Sequence, residues 1–276
     1  MQSRFLPDIV RYKSMDSAAL RAAYLFESAF VPGRIELFGV DIDRAVIGGA
    51  VPTTEPLTLP VPAELRAVSF CDRRELGIIN IGGPGKVRAD EQTFAVKPRE
   101  CVYVGRGTKS VVFESDNAAT PAAFYMVSFA AHAMFPTTHV GPDKARIKEI
   151  GSAEQASRRR LYQYIHQEGV KSCQLVMGYT EIESGSVWNT MPPHTHTRRC
   201  EIYMYFDMSA EARIMHFMGT PQEMRTLVVA DREIVASPAW SMHFGAGTAN
   251  YRFVWAMGGE NQAFDDMDGI SVTKLR

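Results

Sequence analysis

The pattern of apolar positions changes early in the chain from a helical spacing to a strand spacing. In residues 16–30, DSAALRAAYLFESAF, apolar positions recur at spacings of three and four, and Asp16 stands where a helix N-cap would be. Pro32 and Gly33 predict the end of this helix. From residue 34, short apolar alternations follow between Gly, Pro, Asn and Asp, as in RIELFGVDIDRAVIGGA and KSVVFES. The first half is therefore predicted to be one helix followed by β-strands and tight turns.

A polar stretch separates this half from a second half of the same style. Residues 136–160, PTTHVGPDKARIKEIGSAEQASRRR, contain few apolar positions and are predicted to be a surface connection. Strand patterns resume after it in CQLVMGYTEI, EIYMYFDM, ARIMHFMG, TLVVAD, EIVASPAW and NYRFVWAMGG. Many short strands with turns between them are typical of a sandwich, jelly roll or barrel. We therefore predict a mainly β protein with two domains, residues 1–135 with the initial helix and residues 161–276.

Composition and charge narrow the classes of function. The 276-residue chain is 46% hydrophobic, which allows a substantial buried core. Its 30 basic and 31 acidic residues nearly cancel, which argues against a nucleic-acid partner. No stretch reaches the roughly 18 apolar residues of a membrane span, and the first residues lack a secretory pattern, so we expect a cytoplasmic protein without a membrane partner. The four cysteines form no CxxC pair, which argues against a thiolate zinc site.

Four side chains form the strongest chemical pattern. His194 and His196 are two apart in MPPHTHTRRCEIYMYF, so on a strand both imidazoles would leave the same face. Glu201 begins the next apolar alternation and offers a hard oxygen ligand. His243, in SPAWSMHFG, lies near a strand end that a β-barrel can bring beside the first motif. We therefore predict that these four residues bind one divalent metal ion. The remaining histidines stand alone and are expected in the core or on the surface: His132, His139, His166 and His216.

The metal motif also carries a family resemblance. HxH, four residues and Glu, with PxxxxH downstream, is similar to the paired metal motifs of the cupin superfamily. A narrower resemblance covers nearly the whole chain and is to the 5-keto-4-deoxyuronate isomerase family, also called 4-deoxy-L-threo-5-hexosulose-uronate ketol-isomerase. Its strings are RRELGIINIGGPG, CQLVMGYTEI, WNTMPPHTHTRRCEIYMYF, GTPQEMR, SPAWSMHFGAGT and MGGENQAFDDMD. The resemblance implies two cupin-type jelly-roll barrels, of which only the C-terminal one holds the metal.

The resemblance further implies a cofactor, an assembly and a reaction. It implies one Zn²⁺ per subunit on the four predicted ligands, and a homo-hexamer. The implied reaction is an aldose-ketose isomerisation in pectin and uronate catabolism, from 5-dehydro-4-deoxy-D-glucuronate to 3-deoxy-D-glycero-2,5-hexodiulosonate. Its hard step removes a proton next to the aldehyde and leaves an enediolate, whose charge a divalent ion can stabilise. Because this chemistry needs an open coordination position, we expect a coordination number above four.

The residues that act beside the metal remain open between several candidates. Candidates for moving the proton are acidic residues near strand ends, with Glu223 placed first because of the GTPQEMR resemblance: Glu183, Glu223, Glu260 and Asp265. Tyr203 and Tyr205 alternate on the strand after Glu201 and are candidates for donating hydrogen bonds. Arg198 and Arg199 adjoin the ligands and are candidates for binding the carboxylate of the substrate. Trp240, close to His243, is a candidate pocket wall.

Two other functions are compatible with the same motif. A metal-dependent cupin dioxygenase would use similar ligands for iron and keep positions open for oxygen. A non-catalytic cupin that binds sugar acids would need only the pocket. Metal content and oxygen uptake distinguish the dioxygenase from the isomerase, whereas turnover of the uronate distinguishes the isomerase from a binding protein.

Overall fold

The structure, a computed structural model, describes residues 1–260 and 263–276, in which β-strands predominate. The mainly β prediction is confirmed. In the first part of the chain the strands are β1 (Gln2–Arg4), β2 (Leu25–Phe26), β3 (Ile35–Val40), β4 (Val46–Ala50), β5 (Leu57–Thr58), β6 (Arg74–Asn80), β7 (Gly85–Ala89), β8 (Gln92–Val96), β9 (Cys101–Val104), β10 (Val111–Ser115), β11 (Phe124–Ala130) and β12 (Thr138–Val140). In the second part they are β13 (Arg146–Ile150), β14 (Arg159–Ile165), β15 (Val176–Ile182), β16 (Trp188–Asn189), β17 (His194–Thr195), β18 (Arg199–Phe206), β19 (Ile214–Thr220), β20 (Glu223–Val229), β21 (Ile234–Ser237), β22 (Met242–Gly247), β23 (Arg252–Gly259) and β24 (Asp268–Gly269).

Helical structure is confined to short segments of the described chain. The α-helices are α1 (Ile9–Tyr12) and α2 (Ser17–Tyr24), and short 3₁₀ segments lie at Ile42–Arg44, Ala63–Leu65, Pro142–Lys144 and Val272–Lys274. Asp16 caps α2 as predicted, since its side chain accepts a hydrogen bond of 2.8 Å from the backbone N–H of Ala19. The predicted continuation of this helix to residue 30 is wrong, because the chain turns into strand β2 after Tyr24. Among the described residues, no helix combines the length and apolar character needed to cross a membrane.

The first of two units in the chain contains two packed sheets. It comprises residues 1–4, 28–146 and 164–177. The larger sheet has seven strands in the order β1-β3-β4-β11-β6-β9-β12, and the smaller has four in the order β5-β10-β7-β8. Ile78 of the larger sheet and Phe113 of the smaller sheet belong to the same buried apolar cluster. The two sheets therefore pack face to face around one core.

The second unit repeats this arrangement. It comprises residues 5–27, 147–163 and 178–276. Its larger sheet has the order β13-β14-β15-β23-β18-β21-β2 and its smaller sheet the order β16-β22-β19-β20, while β17 pairs separately with β24. Tyr205 of β18 and His216 of β19 share a hydrogen bond of 2.7 Å. That bond joins the facing sides of the two sheets in the unit that holds the predicted metal ligands.

The N-terminal helical segment groups with the second unit, whereas the predicted boundaries placed it in the first domain. Strand β2 pairs with Ile234 and Val235 of β21. The hydroxyl of Tyr12 in α1 donates hydrogen bonds to the backbone carbonyl oxygens of Met218 at 3.0 Å and Glu223 at 2.9 Å. These are contacts between residues far apart in the chain, so the local helical pattern could not show them. The segment predicted as a connection, residues 136–160, itself contains β12 and β13.

The hydrogen-bonded sheets are open rather than closed. In the strand orders of the described chain, neither seven-stranded sheet returns to its first strand, and neither four-stranded sheet does. The structure therefore shows pairs of facing open sheets and not the hydrogen-bonded ring of a closed barrel.

Candidate metal centre

The four predicted ligands lie together in the second unit. His194 is in β17, His196 follows it, Glu201 is in β18 and His243 is in β22. One nitrogen or oxygen atom from each lies within 4.8 Å of those of the others. The Nε2 atoms of His194 and His196 are 3.0 Å apart. Oε2 of Glu201 lies 2.9 Å from Nε2 of His196 and 2.7 Å from Nε2 of His243. The structure thus assembles a group of side chains that could hold a metal ion.

The two facing sheets of the unit bring distant parts of the sequence to this point. Glu201 lies on β18, paired with Ser237 of β21 on one side and Met257 of β23 on the other. His243 lies on β22 of the smaller sheet, opposite Met218 of β19. Both side chains are almost completely buried. The carboxylate therefore comes from the middle of one sheet and the imidazole from the middle of the other.

The surroundings of His196 allow the lone pair on its Nε2 to face the cluster. Nδ1 of His196 lies 2.8 Å from the backbone carbonyl oxygen of Asp266. In the tautomer that donates from Nδ1 to this carbonyl oxygen, Nε2 keeps its lone pair. That lone pair faces the carboxylate of Glu201 at 2.9 Å. A proton shared between two of these ligand atoms would stabilise only that one close contact. One cation bound among the four ligands would stabilise all of the close contacts at once.

The short separations in the ligand cluster are of the size expected between neighbouring ligands of one divalent ion. With bonds of about 2.1 Å to the metal, neighbouring ligand atoms lie roughly 3.0 Å apart at right angles and roughly 3.4 Å apart at the tetrahedral angle. The short separations in the cluster are 3.0, 2.9 and 2.7 Å. They match right-angled ligands better than tetrahedral ones. The residues present therefore fit a metal ion.

Burial and charge set the protonation of the ligands. Burial, followed by the charge of His243, lowers the pKa of His194 to about 3. Burial acts to raise the pKa of Glu201, but the electrostatic effect of the neighbouring His243 and His196 outweighs it and holds that pKa well below the usual 4.5. A neutral imidazole and an ionised carboxylate are the forms that bind metal ions.

A cavity of about 250 Å³ lies beside the cluster. Much of its wall is apolar, including Leu161, Phe253, Trp255, Met257 and Phe264. The polar side chains that line it, besides the ligands, are Arg159, Thr180, Thr190 and Tyr203. An apolar wall with a few placed polar groups is typical of a small-molecule site.

The comparison with known proteins settles the family. Residues 34–271 match the model of the KduI/IolB family. The chain belongs to this family. The 4-deoxy-L-threo-5-hexosulose-uronate ketol-isomerase of Opitutus terrae is 46% identical to it over 277 residues, covering 100% of both chains. The enzyme of the same name from Kineococcus radiotolerans is 47% identical over 279 residues, again covering 100% of both chains. The resemblance inferred from the sequence strings is therefore confirmed.

A solved structure supports the fold of this KduI/IolB family member. The IolB-like protein of Salmonella typhimurium superposes with a TM-score of 0.74 and covers 90% of this chain and 96% of that one. Its sequence is 14% identical. At this level of identity, the likeness concerns the fold alone.

The two arginines that adjoin the ligands do not line the cavity. Arg198 is 65% exposed and forms an ion pair with Glu260. Arg199 is 1% exposed and lies behind His196, where its Nη2 is 2.9 Å from Nδ1 of that histidine and 2.8 Å from the carbonyl oxygen of Asp266. Proximity in the sequence therefore did not place either side chain in the cavity. Arg199 instead contacts a ligand from the side away from the cluster.

The candidate base and the candidate pocket wall lie with the helical segment. The side chain of Glu223 pairs with Arg225 at 2.8 Å, and neither lines the cavity. The ring of Trp240 packs against Tyr12, with ring centres 5.1 Å apart, and is also absent from the cavity wall. The loop that resembled the family at GTPQEMR thus contacts α1 rather than the metal centre.

The other acidic candidates are engaged in surface ion pairs. Glu183 pairs with Arg158 and Arg160, and Asp265 pairs with Lys148. Within the described part of the chain, Glu201 is the only carboxylate that lines the cavity. The structure therefore brings none of the predicted acidic candidates to the ligands.

Among the candidates proposed to act beside a bound metal, Tyr203 does line the cavity. Its hydroxyl is 2.8 Å from the hydroxyl of Thr190, and its ring centre is 5.3 Å from that of His243. Burial, followed by the negative charge of Glu201, raises the pKa of Tyr203 well above 10.0. Its phenol is therefore protonated at neutral pH and can donate a hydrogen bond.

Arg159 is a cavity residue that sequence reasoning missed. It was assigned to the surface connection because it stands in the run RRR before an apolar stretch. In the structure it opens strand β14, and both Arg159 and Leu161 line the cavity. The signal was the two-residue alternation of a strand, which places Arg159 on the same face as Leu161 and turns Arg160 away. Arg160 is correspondingly exposed.

His216 is expected to make the stability of the protein depend on pH. It is fully buried, and burial lowers its pKa to about 3. Its pKa in the unfolded chain is about 6.5, so between these values only the unfolded state binds the proton, and stability falls as the pH drops below about 6.5. We expect this residue to lower the free energy of unfolding by about 2 kcal/mol between pH 7 and pH 5, measured by urea unfolding.

The matched variant for this measurement is His216→Phe, which keeps a ring but removes the titrating group. It should be less stable at pH 7 because the hydroxyl of Tyr205 loses this partner. The difference between the two pH values should shrink by about 2 kcal/mol. An unchanged difference would show that other groups cause the acid sensitivity.

Proposed function

We propose that this protein is an aldose-ketose isomerase that converts 5-dehydro-4-deoxy-D-glucuronate to 3-deoxy-D-glycero-2,5-hexodiulosonate in uronate catabolism. The observation that carries the proposal is a metal-ligand cluster beside a small cavity, in a chain 46% identical over its whole length to a named uronate ketol-isomerase. The site supplies what an isomerisation of this kind needs, which is a place for a cation next to a pocket for a small molecule.

The finer features of the proposal concern the metal and the assembly. Three imidazoles and one carboxylate are a donor set that suits Zn²⁺, one per subunit. The pairing of a seven-stranded with a four-stranded sheet in each unit is the arrangement from which we propose two cupin-type barrels. The described residues of the first unit contain no comparable cluster, which supports a metal-free N-terminal barrel. A homo-hexamer in the cytoplasm completes the proposal by resemblance to the family.

The residues around the cavity have different roles in the proposed reaction. An ion held by His194, His196, Glu201 and His243 would supply a Lewis acid for the negative charge that develops when the substrate loses a proton. The hydroxyl of Tyr203, kept protonated by burial, donates a hydrogen bond to a substrate oxygen as charge grows on it.

The apolar wall contributes by excluding water from the reacting atoms. Phe253, Trp255 and Met257 of β23 line the cavity and are at most 2% exposed. A hydrogen bond or ion contact is stronger in such a water-poor site than in solution. Thr190 completes the polar side, because its hydroxyl is 2.8 Å from that of Tyr203 and fixes the direction of the phenol.

The decisive experiment follows the reaction itself. The purified, metal-loaded protein is incubated with the unsaturated uronate released by pectin or alginate lyases, and the diketo acid is measured with and without a chelator. We expect turnover that chelation abolishes and that added Zn²⁺ restores. Absence of turnover in the metal-loaded protein would refute the proposed function.

The dioxygenase alternative is not favoured by the relatives, which are named as ketol-isomerases. The same incubation separates the two reactions, because isomerisation consumes no oxygen and conserves the mass of the substrate. Oxygen uptake that accompanies loss of the uronate would support the dioxygenase. Binding of the uronate without any conversion would support a non-catalytic protein.

Tyr203→Phe is expected to lower kcat by roughly 100-fold, since it removes one hydrogen-bond donor aimed at the developing charge. Metal content and KM should change little, because the phenyl ring still fills its place beside His243. Initial rates over a range of substrate concentrations measure both constants.

The matched control is Tyr205→Phe. Tyr205 lies on the same strand, but its hydroxyl bonds to His216 and does not face the cavity. Its kcat should stay within a few-fold of the unaltered protein. Equal losses in the two variants would mean that the phenol of Tyr203 acts through packing and not through its hydroxyl.

A further inference from the structure

Arg158, Arg159 and Arg160 follow each other in the chain but have different surroundings. Arg158 and Arg160 are exposed at the protein surface, where both pair with the carboxylate of Glu183. Arg159 is 8% exposed and lines the metal cavity. In the described part of the chain, no carboxylate forms an ion pair with it. The middle arginine is thus a buried cation without a counter-charge, placed in the wall of the proposed active site.

We infer that Arg159 binds the carboxylate of the uronate and thereby makes the site selective for sugar acids over neutral sugars. The inference deepens the proposed function, because the isomerase substrate carries a carboxylate at one end and an aldehyde at the other. Arg159 takes the role that the sequence had suggested for Arg198 or Arg199.

The hydrogen bonding of Arg159 leaves donors for a ligand. Its Nη1 donates a hydrogen bond of 2.8 Å to the backbone carbonyl oxygen of Ser157, which is itself buried. This bond fixes one side of a planar group that has five N–H donors. A carboxylate can accept two parallel hydrogen bonds from such a group, which gives both strength and direction.

The burial of the Arg159 guanidinium also favours binding of a carboxylate. Burial is the largest influence on the pKa of Arg159 and lowers it from 12.5. A desolvated cation is costly unless it is paired, and an incoming carboxylate supplies the missing charge. A hydroxyl group at the same position would supply a hydrogen bond but no charge. The wall therefore discriminates between an acid and the corresponding alcohol.

The position of Arg159 matches the two ends of the substrate. It lies on β14, whereas Glu201 lies on β18, with β15 and β23 between them in the sheet. Neighbouring strands are roughly 4.8 Å apart, so the two backbones are separated by about 14 Å along the sheet. An open six-carbon chain and a long arginine side chain together cover much of that distance. The aldehyde end can thus reach the metal ligands while the carboxylate reaches Arg159.

The test compares binding of two unreactive open-chain probes, D-gluconate and D-glucitol, to the metal-loaded protein. They have the same six-carbon chain, and only gluconate carries a carboxylate. Trp255 lines the cavity, so its fluorescence reports binding without any need for turnover. The variants are Arg159→Met, which keeps the length without the charge, and Arg159→Lys, which keeps the charge without the planar fork. Arg160→Met, the exposed neighbour on the opposite face, is the matched control.

We expect Arg159→Met to weaken gluconate binding by about 10- to 100-fold and to change glucitol binding by less than about threefold. The affinity of Arg159→Lys for gluconate should lie between those of Arg159→Met and the unaltered protein. Arg160→Met should bind gluconate as tightly as the unaltered protein does. With the uronate substrate, Arg159→Met should raise KM by a similar factor, with metal content unchanged.

Three results would overturn the assignment of Arg159. They are equal weakening of both probes, unchanged gluconate binding in Arg159→Met, and no preference for gluconate in the unaltered protein. The outcome is independent of the isomerase proposal. Acid selectivity that depends on Arg159 without isomerisation would uphold the binding role and refute the reaction, whereas isomerisation with an unchanged KM in Arg159→Met would do the reverse.

Discussion

His196→Ala is expected to remove the metal ion and to lower turnover by at least roughly 1,000-fold, since even residues that only orient metal ligands cost 10- to 100-fold. His196 is a close neighbour of two other ligands. Its Nε2 lies 3.0 Å from Nε2 of His194 and 2.9 Å from Oε2 of Glu201, so it contacts two of the other three ligands. Metal content by elemental analysis and the rate of diketo acid formation measure the two effects.

The control is His132→Ala, which removes an exposed histidine of the first unit. It should keep one metal ion per chain and full turnover. A His196→Ala protein that is folded, metal-loaded and active would show that the cluster is not the catalytic metal site. A folded protein that loses the metal but keeps its activity would separate the cluster from the reaction.

The ligand cluster could be predicted because most of it is local. His194, His196 and Glu201 lie within eight residues, and their spacing is enough to suggest a shared ion. His243 needed the longer motif, since only sheet packing brings β22 opposite β18. The structure changes one detail of the local argument. Strand β17 ends at Thr195, so only His194 of the pair lies within a strand, and Nδ1 of His196 lies 2.8 Å from the carbonyl oxygen of Asp266.

The groups beside the ligands could not be predicted, because neighbours in the sequence are a poor guide there. Arg198 and Arg199 adjoin the ligands in the chain, yet one is exposed and the other lies behind His196. Arg159 is distant in sequence and reaches the cavity through the order β14-β15-β23-β18 in the larger sheet. A single sequence shows the pattern of each strand but not which strands become neighbours.

The predicted length of the N-terminal helix was wrong for a related reason. Apolar spacing continued past Tyr24 and favoured a longer helix, but Leu25 and Phe26 are buried as a strand against β21. Both residues are compatible with either conformation, and the tertiary pairing decided between them. The same pairing puts residues 5–27 in the unit that holds the metal centre.

Glu75→Gln is expected to lower the free energy of unfolding by about 1–3 kcal/mol, out of the roughly 5–15 kcal/mol of a typical domain. Glu75 is completely buried in the first unit. Its carboxylate accepts hydrogen bonds from the hydroxyl of Tyr103 at 2.9 Å and from the backbone N–H groups of Cys173 at 2.6 Å, Gln174 at 2.9 Å and Leu175 at 2.9 Å. Four donors thus converge on one acceptor.

The amide of a glutamine at this position is nearly the same size, but one of its two heavy atoms is a donor. That atom faces Cys173 and Tyr103 at the lowest cost, because the hydroxyl of Tyr103 can accept a hydrogen bond from the amide. The backbone N–H of Cys173 then loses its acceptor, which costs about 1–3 kcal/mol. Urea unfolding of the two proteins measures the difference, with Glu91→Gln at an exposed site of the same unit as the control, expected within about 0.5 kcal/mol of the unaltered protein. A loss at Glu75→Gln no larger than that of the control would mean that the segment from Cys173 to Leu175, which leads into β15, is held by its packing and not by the carboxylate.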